Sequence, residues 1–182
     1  AHVSFSEQDQ ITCNFADLPG AEAADSYDIA SLTKIVATAP LMMLALQEHR
    51  LQLHDKVSQI LQKELPKSVF DDKQNLLLEH LLAHTSGFEP HVPFYQDTES
   101  ISILEKIFRR KLVKNPNQER VYSDLNFIAL GIILEKTFGQ SLDVLFNEKI
   151  AKPLGMVNTH YLPSASNGTT TPSQLGGRSY RY

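Results

Sequence analysis

The segment from Ser123 to Gly139 carries the strongest helical signal in the chain, and it constrains the fold most. Its apolar residues recur at helical spacing and share one face: Leu125, Ile128, Ala129, Ile132, Ile133 and Phe138. Ser123 is a favourable N-cap residue, and glycine, here Gly139, often follows a helix C-terminus. A helix with an apolar face of this size must be covered by other elements, so the sequence predicts a helical core around it.

Similar periodicity predicts that most of the chain is helical. Further helices are predicted over residues 31–48, 51–62, 74–84, 100–112 and 141–150. Pro40 is expected to kink or break the first of them, and Gly87 to form a left-handed cap after the third. The segment 88–98 is predicted to be an ordered loop, and the segment 163–172, rich in Ser, Thr, Asn, Gly and Pro, an exposed connector.

The first residues of the chain alternate between apolar and polar side chains. The apolar positions are Val3, Phe5, Ile11, Cys13 and Phe15, and they predict a strand hairpin. A hairpin alone is marginal in water, so more strands or a helix must pack against this one.

Charge and composition exclude several classes of function. Lys and Arg total 17 against 21 Asp and Glu, so the net charge is −4 and nothing indicates the basic face of a nucleic-acid binder. No uninterrupted apolar run reaches the ~18 residues of a membrane span, so we expect no transmembrane segment. The single cysteine, Cys13, cannot form an internal disulfide. Because the chain starts at Ala1 without a leader and its last residues show no closing element, we expect a fragment of a longer protein.

Ser31 and Lys34 are the first candidates for chemistry. A serine hydroxyl needs a base to become a nucleophile, and a lysine three residues further along a helix lies on the same face. At a helix N-terminus, free N–H groups favour a developing oxyanion. The alternative is a helix cap followed by a solvated lysine, although the apolar helix that follows makes this an unusual place for an idle lysine.

Tyr122 and Asp124 form the second candidate, at the start of the strongest helix. A tyrosine beside a lysine ammonium has its ionised form favoured and can act as a general base or acid. Asp124 could pair with Lys34 or hold a substrate group. In the alternative interpretation Tyr122 only packs, and Ser123 or Asp124 only caps the helix.

His80 and His84 have the i, i+4 spacing of half a zinc site. No glutamate lies between them, and no third ligand is evident, so a structural role for His84 is favoured over metal binding. We expect no metal and no cofactor.

Four segments, in this order, resemble motifs of one family of hydrolases. They are residues 29–34 (IASLTK), 80–87 (HLLAHTSG), 122–127 (YSDLNF) and 152–156 (KPLGM, followed by Thr159). They are similar to the nucleophile box, the L-L-x-H-T-S-G segment, the tyrosine box and the P-L-G-M-x-x-T segment of serine β-lactamase-related enzymes. Within that superfamily the chain most resembles class C β-lactamases, D-alanyl-D-alanine peptidases and related esterases, whose fold is that of penicillin-binding proteins.

The resemblance implies an α+β fold in which an all-helical domain and a mostly antiparallel sheet flank a catalytic groove. Residues 1–30 would be a hairpin and loop of the sheet part, and residues 31–162 the helical domain. Residues 163–182 would lead to the remainder of the sheet part, which is needed to complete the groove. It also implies that Ser31 is acylated, that Lys34 and Tyr122 carry protons, and that water releases the acyl group. The substrate would be a β-lactam, a D-Ala-D-Ala-type or other peptidoglycan-derived peptide, or a small ester.

Two departures from the family pattern bear on activity. Asp124 stands where class C β-lactamases carry asparagine, and an ionised carboxylate cannot donate a hydrogen bond to a substrate carbonyl. It would also hold Lys34 in its charged form and shift the role of base towards Tyr122, which favours esterase or peptidase activity over β-lactam turnover. The Lys- or His-led Thr/Ser-Gly box of the family is absent after Tyr161.

Two rival functions stay open at this point. The first is a catalytically silent module that binds a β-lactam or a cell-wall fragment, and the second is a helical interaction domain with accidental motif matches. The resemblance favours a periplasmic or extracellular location, with a cytoplasmic one left open.

Overall fold

The chain was analysed as a computed structural model, which describes residues 2–5, 11–14, 26–94, 99–161 and 170–171. Its contacts divide the chain into two units. One is the helical unit Ser31–Tyr161, and the other combines residues 1–30 with residues 162–182.

Six α-helices lie in the described part of the helical unit. They are α1 (Ala39–Gln47), α2 (Val57–Ile60), α3 (Leu78–Leu82), α4 (Ile103–Arg109), α5 (Asp124–Phe138) and α6 (Leu142–Phe146). A 3-10 turn at Ala30–Leu32 and a π-helical turn at Lys34–Thr38 lead into α1. A further 3-10 turn covers Lys67–Phe70, and a π-helical turn at Asn147–Ala151 extends α6.

Helix α5 is the element on which the others pack. It contacts α1, α3, α4, α6 and the π-helical turn at 34–38. The residues that it buries are Leu125, Asn126, Ala129, Leu130, Gly131, Ile133 and Leu134. Gly139 follows its end with φ of +70°, so the predicted helix and its glycine stop are confirmed. The burial of this apolar face supplies the main driving force for assembly of the unit.

Pro40 does not break the first helix. It lies at the start of α1, directly after the π-helical turn, and the helical path continues to Gln47. Pro40 lies in the first turn of α1, where a backbone N–H group has no partner within the helix, so its absence costs little there.

Helices α2 and α3 are shorter than the apolar periodicity predicts. The chain segment that leads into α2 is hydrogen-bonded to the segment that leads into α3. Val57 N–H donates to Leu76 O, and Leu78 N–H donates to Asp55 O, both at 3.0 Å. Lys56 and Leu77 form an isolated antiparallel bridge between these two segments. Backbone groups committed to this bridge cannot also extend the two helices towards their N-termini.

Gly87 has the left-handed backbone that the sequence predicts, with φ of +85°, but it does not cap α3. That helix ends at Leu82 with Ala83 as its C-cap. Gly87 instead lies where two backbone segments meet, and its carbonyl accepts the Val113 N–H at 2.8 Å. A Cβ atom at Gly87 would collide with the carbonyl oxygen of Lys114.

The second unit contains two short pairs of strands among its described residues. Strand β1 (His2–Phe5) pairs antiparallel with β2 (Ile11–Asn14), with Val3 opposite Cys13. Strand β3 (Ser26–Tyr27) pairs in parallel with β4 (Thr170–Thr171). Phe15 and most of the predicted connector 163–172 lie outside the described residues. The larger antiparallel sheet stays a prediction.

One helical stretch, Ala30–Gln47, is long and apolar enough to be a candidate membrane span. The core helix of a water-soluble protein meets the same criterion, and Leu41, Met42 and Ala45 of this stretch are buried in the helical unit. The expected absence of a transmembrane segment therefore stays a prediction.

Substitution of Gly87 tests the close approach of the two backbone segments. We expect Gly87→Ala to lower the free energy of unfolding by about 3 kcal/mol, since it combines a left-handed backbone with a steric collision. Gly139→Ala is the matched control, because Gly139 has φ of +70° with no atom within 4 Å of the added Cβ, and should cost only about 1 kcal/mol. Urea unfolding measures both, and equal losses would contradict the collision.

Candidate active site

Ser31 and Lys34 come together at the start of the first helix. Ser31 lies in the 3-10 turn and Lys34 opens the π-helical turn, so their side chains share one face. Lys34 Nζ donates a hydrogen bond to Ser31 Oγ at 3.1 Å. The Ser31 side chain is exposed, whereas that of Lys34 is only 15% exposed. The pair therefore presents a hydroxyl to solvent above a half-buried ammonium.

The residues before α5 are held against the loop that follows α3. Ser123 is the N-cap of α5 by position, but its hydroxyl does not cap the helix and instead donates to Glu89 O at 2.5 Å. Asp124 N–H donates to Pro90 O at 2.9 Å. These bonds fix the backbone from which the Tyr122 and Asp124 side chains extend.

The Asp124 carboxylate pairs with Lys34. Lys34 Nζ donates to Asp124 Oδ1 at 2.8 Å, and both side chains are partly buried. Burial acts to lower the pKa of Lys34, but hydrogen bonds with Asp124 and Tyr122 and the Asp124 charge outweigh it, so the pKa lies above 10.5. Burial likewise acts to raise the pKa of Asp124, and the bond to Lys34 and its charge bring it below 3.8. Both groups are ionised at neutral pH, so Lys34 donates a hydrogen bond to Ser31 but is poorly suited to accept its proton.

Tyr122 is the titratable group at the site whose pKa moves towards neutrality. Its side chain is 53% exposed, and Lys34 Nζ lies 5.0 Å from the centre of its ring. Burial acts to raise the pKa of the phenol, but hydrogen bonding with Ser31 and Lys34 and the ammonium charge bring the pKa below 10.0. The structure thus brings together all four residues that the sequence predicts for the site.

His91 is a neighbour of the site that sequence reasoning missed. Its Nδ1 lies 3.2 Å from Asp124 Oδ2, so the carboxylate uses one oxygen for Lys34 and the other for His91. The contact lowers the pKa of Asp124 further, after the larger effect of Lys34. His91 belongs to none of the recognised motifs, and only its place in the loop after the segment 80–87 could have indicated it.

His80 and His84 each use one ring nitrogen to accept a backbone hydrogen bond. Leu77 N–H donates to His80 Nδ1, and Ser123 N–H donates to His84 Nδ1, each at 3.2 Å. Burial lowers the pKa of both imidazoles below 6.5. Within the described ranges, no group of three or more His, Cys, Asp or Glu side chains could hold a metal ion.

Comparison with known proteins gives one consistent family. The Beta-lactamase family profile matches residues 20–177. A putative D-alanyl-D-alanine carboxypeptidase of Escherichia coli K12 is 32% identical over 149 residues, which cover 75% of this chain and 34% of that protein. The chain thus spans about a third of the length of this curated relative.

Solved structures show the same likeness. A beta-lactamase/D-alanine carboxypeptidase from Yersinia pestis superposes with a TM-score of 0.67 and 26% identity, over 87% of this chain and 48% of that one. A class C beta-lactamase superposes with a TM-score of 0.67 over 80% of this chain and 39% of that one, at 21% identity, which speaks for the fold alone.

Removal of the Asp124 charge tests the coupling at the site. We expect Asp124→Asn to lower the pKa of Lys34, because burial then acts without its main counterweight. A pH titration of the Lys34 side chain by NMR measures the shift. Glu48→Gln is the control, since it removes the carboxylate 3.0 Å from another ammonium, Lys149, and should leave Lys34 unchanged. A Lys34 pKa that is the same in Asp124→Asn and the wild type would contradict the coupling.

Proposed function

The chain belongs to the beta-lactamase family, and from this premise we propose that it carries the nucleophile and the proton carriers of a serine hydrolase. The substrate is an amide or ester: a D-Ala-D-Ala-type peptide, a β-lactam or a small ester. The observation that carries the proposal is the contact of Ser31 Oγ with Lys34 Nζ at 3.1 Å, beside a tyrosine of lowered pKa. The carboxypeptidase name of the Escherichia coli relative supports the peptide among these substrates.

In the acylation step, Ser31 Oγ attacks the substrate carbonyl carbon, and its proton passes to the Tyr122 oxygen. Tyr122 is the better acceptor because Lys34 is held in its ammonium form by Asp124. The oxygen of the tetrahedral intermediate accepts a hydrogen bond from the Ser31 N–H at the start of the helical stretch. When the intermediate collapses, the leaving amine or alkoxide takes the proton from Tyr122, and the acyl group stays on Ser31.

In the deacylation step, water attacks the acyl carbon and gives its proton to Tyr122. Collapse of the second intermediate expels Ser31 Oγ, which regains a proton from Tyr122. Lys34 does not change its charge in either step. Its ammonium stabilises the phenolate form of Tyr122 and the Ser31 alkoxide as each develops.

Asp124 bears on the choice among the substrates. An asparagine at this position could donate a hydrogen bond to a substrate carbonyl, whereas the ionised Asp124 can only accept one. One of its oxygens is engaged with Lys34 and the other with His91. Because the carboxylate offers no donor to a β-lactam amide, peptides and esters are the favoured substrates.

We propose that a further part of the same protein completes the groove. Ser31 N–H supplies one donor to the oxyanion, and a second donor is required for full stabilisation. In the family the second donor comes from a sheet strand, and the curated relative is about three times as long as the matched segment. The partner of the site is a small-molecule or peptidoglycan-derived substrate.

The role of Ser31 is tested by covalent labelling of the full-length protein. We expect a fluorophosphonate or a penicillin to form one adduct, on the peptide that contains Ser31, and Ser31→Ala to abolish it. Ser102→Ala is the matched control, since the Ser102 hydroxyl accepts the Glu105 N–H as the N-cap of α4.

Mass spectrometry of the labelled protein separates the outcomes. Adducts that survive in Ser31→Ala would overturn the assignment. A stable adduct on Ser31 without turnover of any ester or peptide would instead favour the catalytically silent binding module.

The proton carriers are tested by kinetics. Lys34→Ala and Tyr122→Phe should each lower ester hydrolysis about 10²-fold or more, the usual effect of losing an acid–base group. Because the two groups act as one unit, the double variant should lose far less than the product of the single losses. In the wild type, activity should rise with pH as Tyr122 ionises, at a pH below 10.0. Near-full activity in Tyr122→Phe would show that the tyrosine only packs.

A further inference from the structure

His84 holds the chain on both sides of Tyr122. Its carbonyl oxygen accepts the Val121 N–H at 2.9 Å, and its Nδ1 accepts the Ser123 N–H at 3.2 Å. Its ring lies against the Tyr122 ring, with 4.5 Å between the centroids and 34° between the planes. His84 therefore holds Val121, Ser123 and the ring of Tyr122 in place.

The position of His84 is itself closely determined. Its backbone has φ of +59°, a left-handed conformation that few non-glycine residues adopt, and its side chain is buried. The imidazole also contacts Phe127, at 5.1 Å between ring centroids. Strain of this kind persists only where the surrounding contacts over-determine a residue, and it often accompanies functional sites.

The hydrogen bonds define the protonation state that this arrangement requires. The fully buried Asn126 places its Nδ2 at 3.1 Å from His84 Nδ1, so two N–H donors, from Ser123 and Asn126, converge on one nitrogen. That nitrogen must carry a lone pair, and the proton of the neutral ring is on Nε2. A second proton on Nδ1 would face both donors and break both bonds.

We propose that His84 is a positioning residue, which holds Tyr122 beside Ser31 only while its Nδ1 carries no proton. Protonation of His84 then causes a second fall in activity towards acid pH, separate from the fall caused by protonation of Tyr122, and this second fall is called the acid limb. The proposal rests on the proposed role of Tyr122 as the proton carrier. It adds a pH-sensitive support that acts through the backbone and ring of Tyr122 without contact with the substrate.

The charges around His84 oppose its protonation. Burial has the largest effect on its pKa and lowers it, and the positive charges of Lys34 and Arg120 lower it further, against the opposing charge of Asp124. The neutral form is therefore favoured by folding. His84 contributes its stabilisation fully above the unfolded value of 6.5, and the contribution falls as the pH drops from there to its lower folded pKa.

His80 provides a matched control from helix α3, which ends at Leu82, before His84. It is also buried, and burial lowers its pKa as well. Its Nδ1 also accepts a backbone N–H, but from Leu77 at the start of α3 and not from the tyrosine segment. A loss of stability common to both histidines can thus be separated from an effect on Tyr122.

The experiment compares His84→Ala, His84→Asn and His80→Asn in the full-length protein. Asparagine tolerates a left-handed backbone and can place an acceptor oxygen where Nδ1 lies, but it cannot become a cation.

We expect His84→Ala to lower kcat for ester hydrolysis about 10-fold to 100-fold with KM little changed, because Tyr122 is displaced. His84→Asn should regain most of this loss and lack the acid limb of the pH profile. His80→Asn should keep both the wild-type kcat and the acid limb.

Two readouts keep the inference separate from the proposed function. The absorbance of tyrosinate near 295 nm, assigned by difference with Tyr122→Phe, reports the pKa of Tyr122 without any turnover, and in His84→Ala it should move up towards 10.0. If His84→Ala does not fold, NMR titration of the His84 imidazole in the wild type should give the same midpoint as the acid limb. Three results would each overturn the inference: an unchanged pKa of Tyr122 in folded His84→Ala, an acid limb that persists in His84→Asn, or a His84 titration midpoint that differs from the acid limb. Full activity in Tyr122→Phe would overturn the proposed role of Tyr122 as the proton carrier, whereas the pKa of Tyr122 in His84→Ala tests the positioning by His84 separately.

Discussion

The ion pair between Lys34 and Asp124 is the interaction on which the site depends. It joins the first helix to α5 across 90 residues of sequence, with 2.8 Å between Nζ and Oδ1. Half-buried charges are costly to desolvate, and each partner here offsets the cost of the other. An ammonium held by a carboxylate is a poor base, because its pKa is raised. In the proposed mechanism, the tyrosine beside it therefore takes that role.

The packing of the helical unit explains how this pair forms. Helix α5 is the central element of the core, and α1, α3, α4 and α6 all contact it. Its N-terminus is held by the loop after α3, through the bonds of Ser123 to Glu89 and of Asp124 to Pro90. The apolar core therefore determines where the N-termini of the first helical stretch and of α5 lie, and the polar site lies between these two N-termini.

Local sequence patterns predict the parts of this structure that depend on local physics. Helix α5, its glycine stop and the shared face of Ser31 and Lys34 all follow from periodicity and spacing, and the structure places them as predicted. The short α2 and α3 do not follow, because a backbone bridge between Lys56 and Leu77 replaces their first turns. The collision partner of Gly87 and the contact of His91 could not be predicted from sequence either. The Lys114 backbone lies beside Gly87, and the Asp124 carboxylate beside His91, only in the folded chain.

The π-helical turn at Lys34–Thr38 has a consequence for insertions and deletions in this part of the chain. Such a turn holds about one residue more than an α-helical turn, so the loss of one residue inside it restores a regular helix with little change in the angle between the segments on either side. Ser31 and Lys34 would then keep their orientation relative to the buried face of α1. The loss of one residue within α1 itself would instead rotate the two side chains by about 100° relative to the residues that follow, and would turn the serine away from Tyr122. The π-helical turn therefore makes this part of the chain tolerant of a single-codon deletion, whereas the same deletion in the regular helix would misplace the proposed nucleophile.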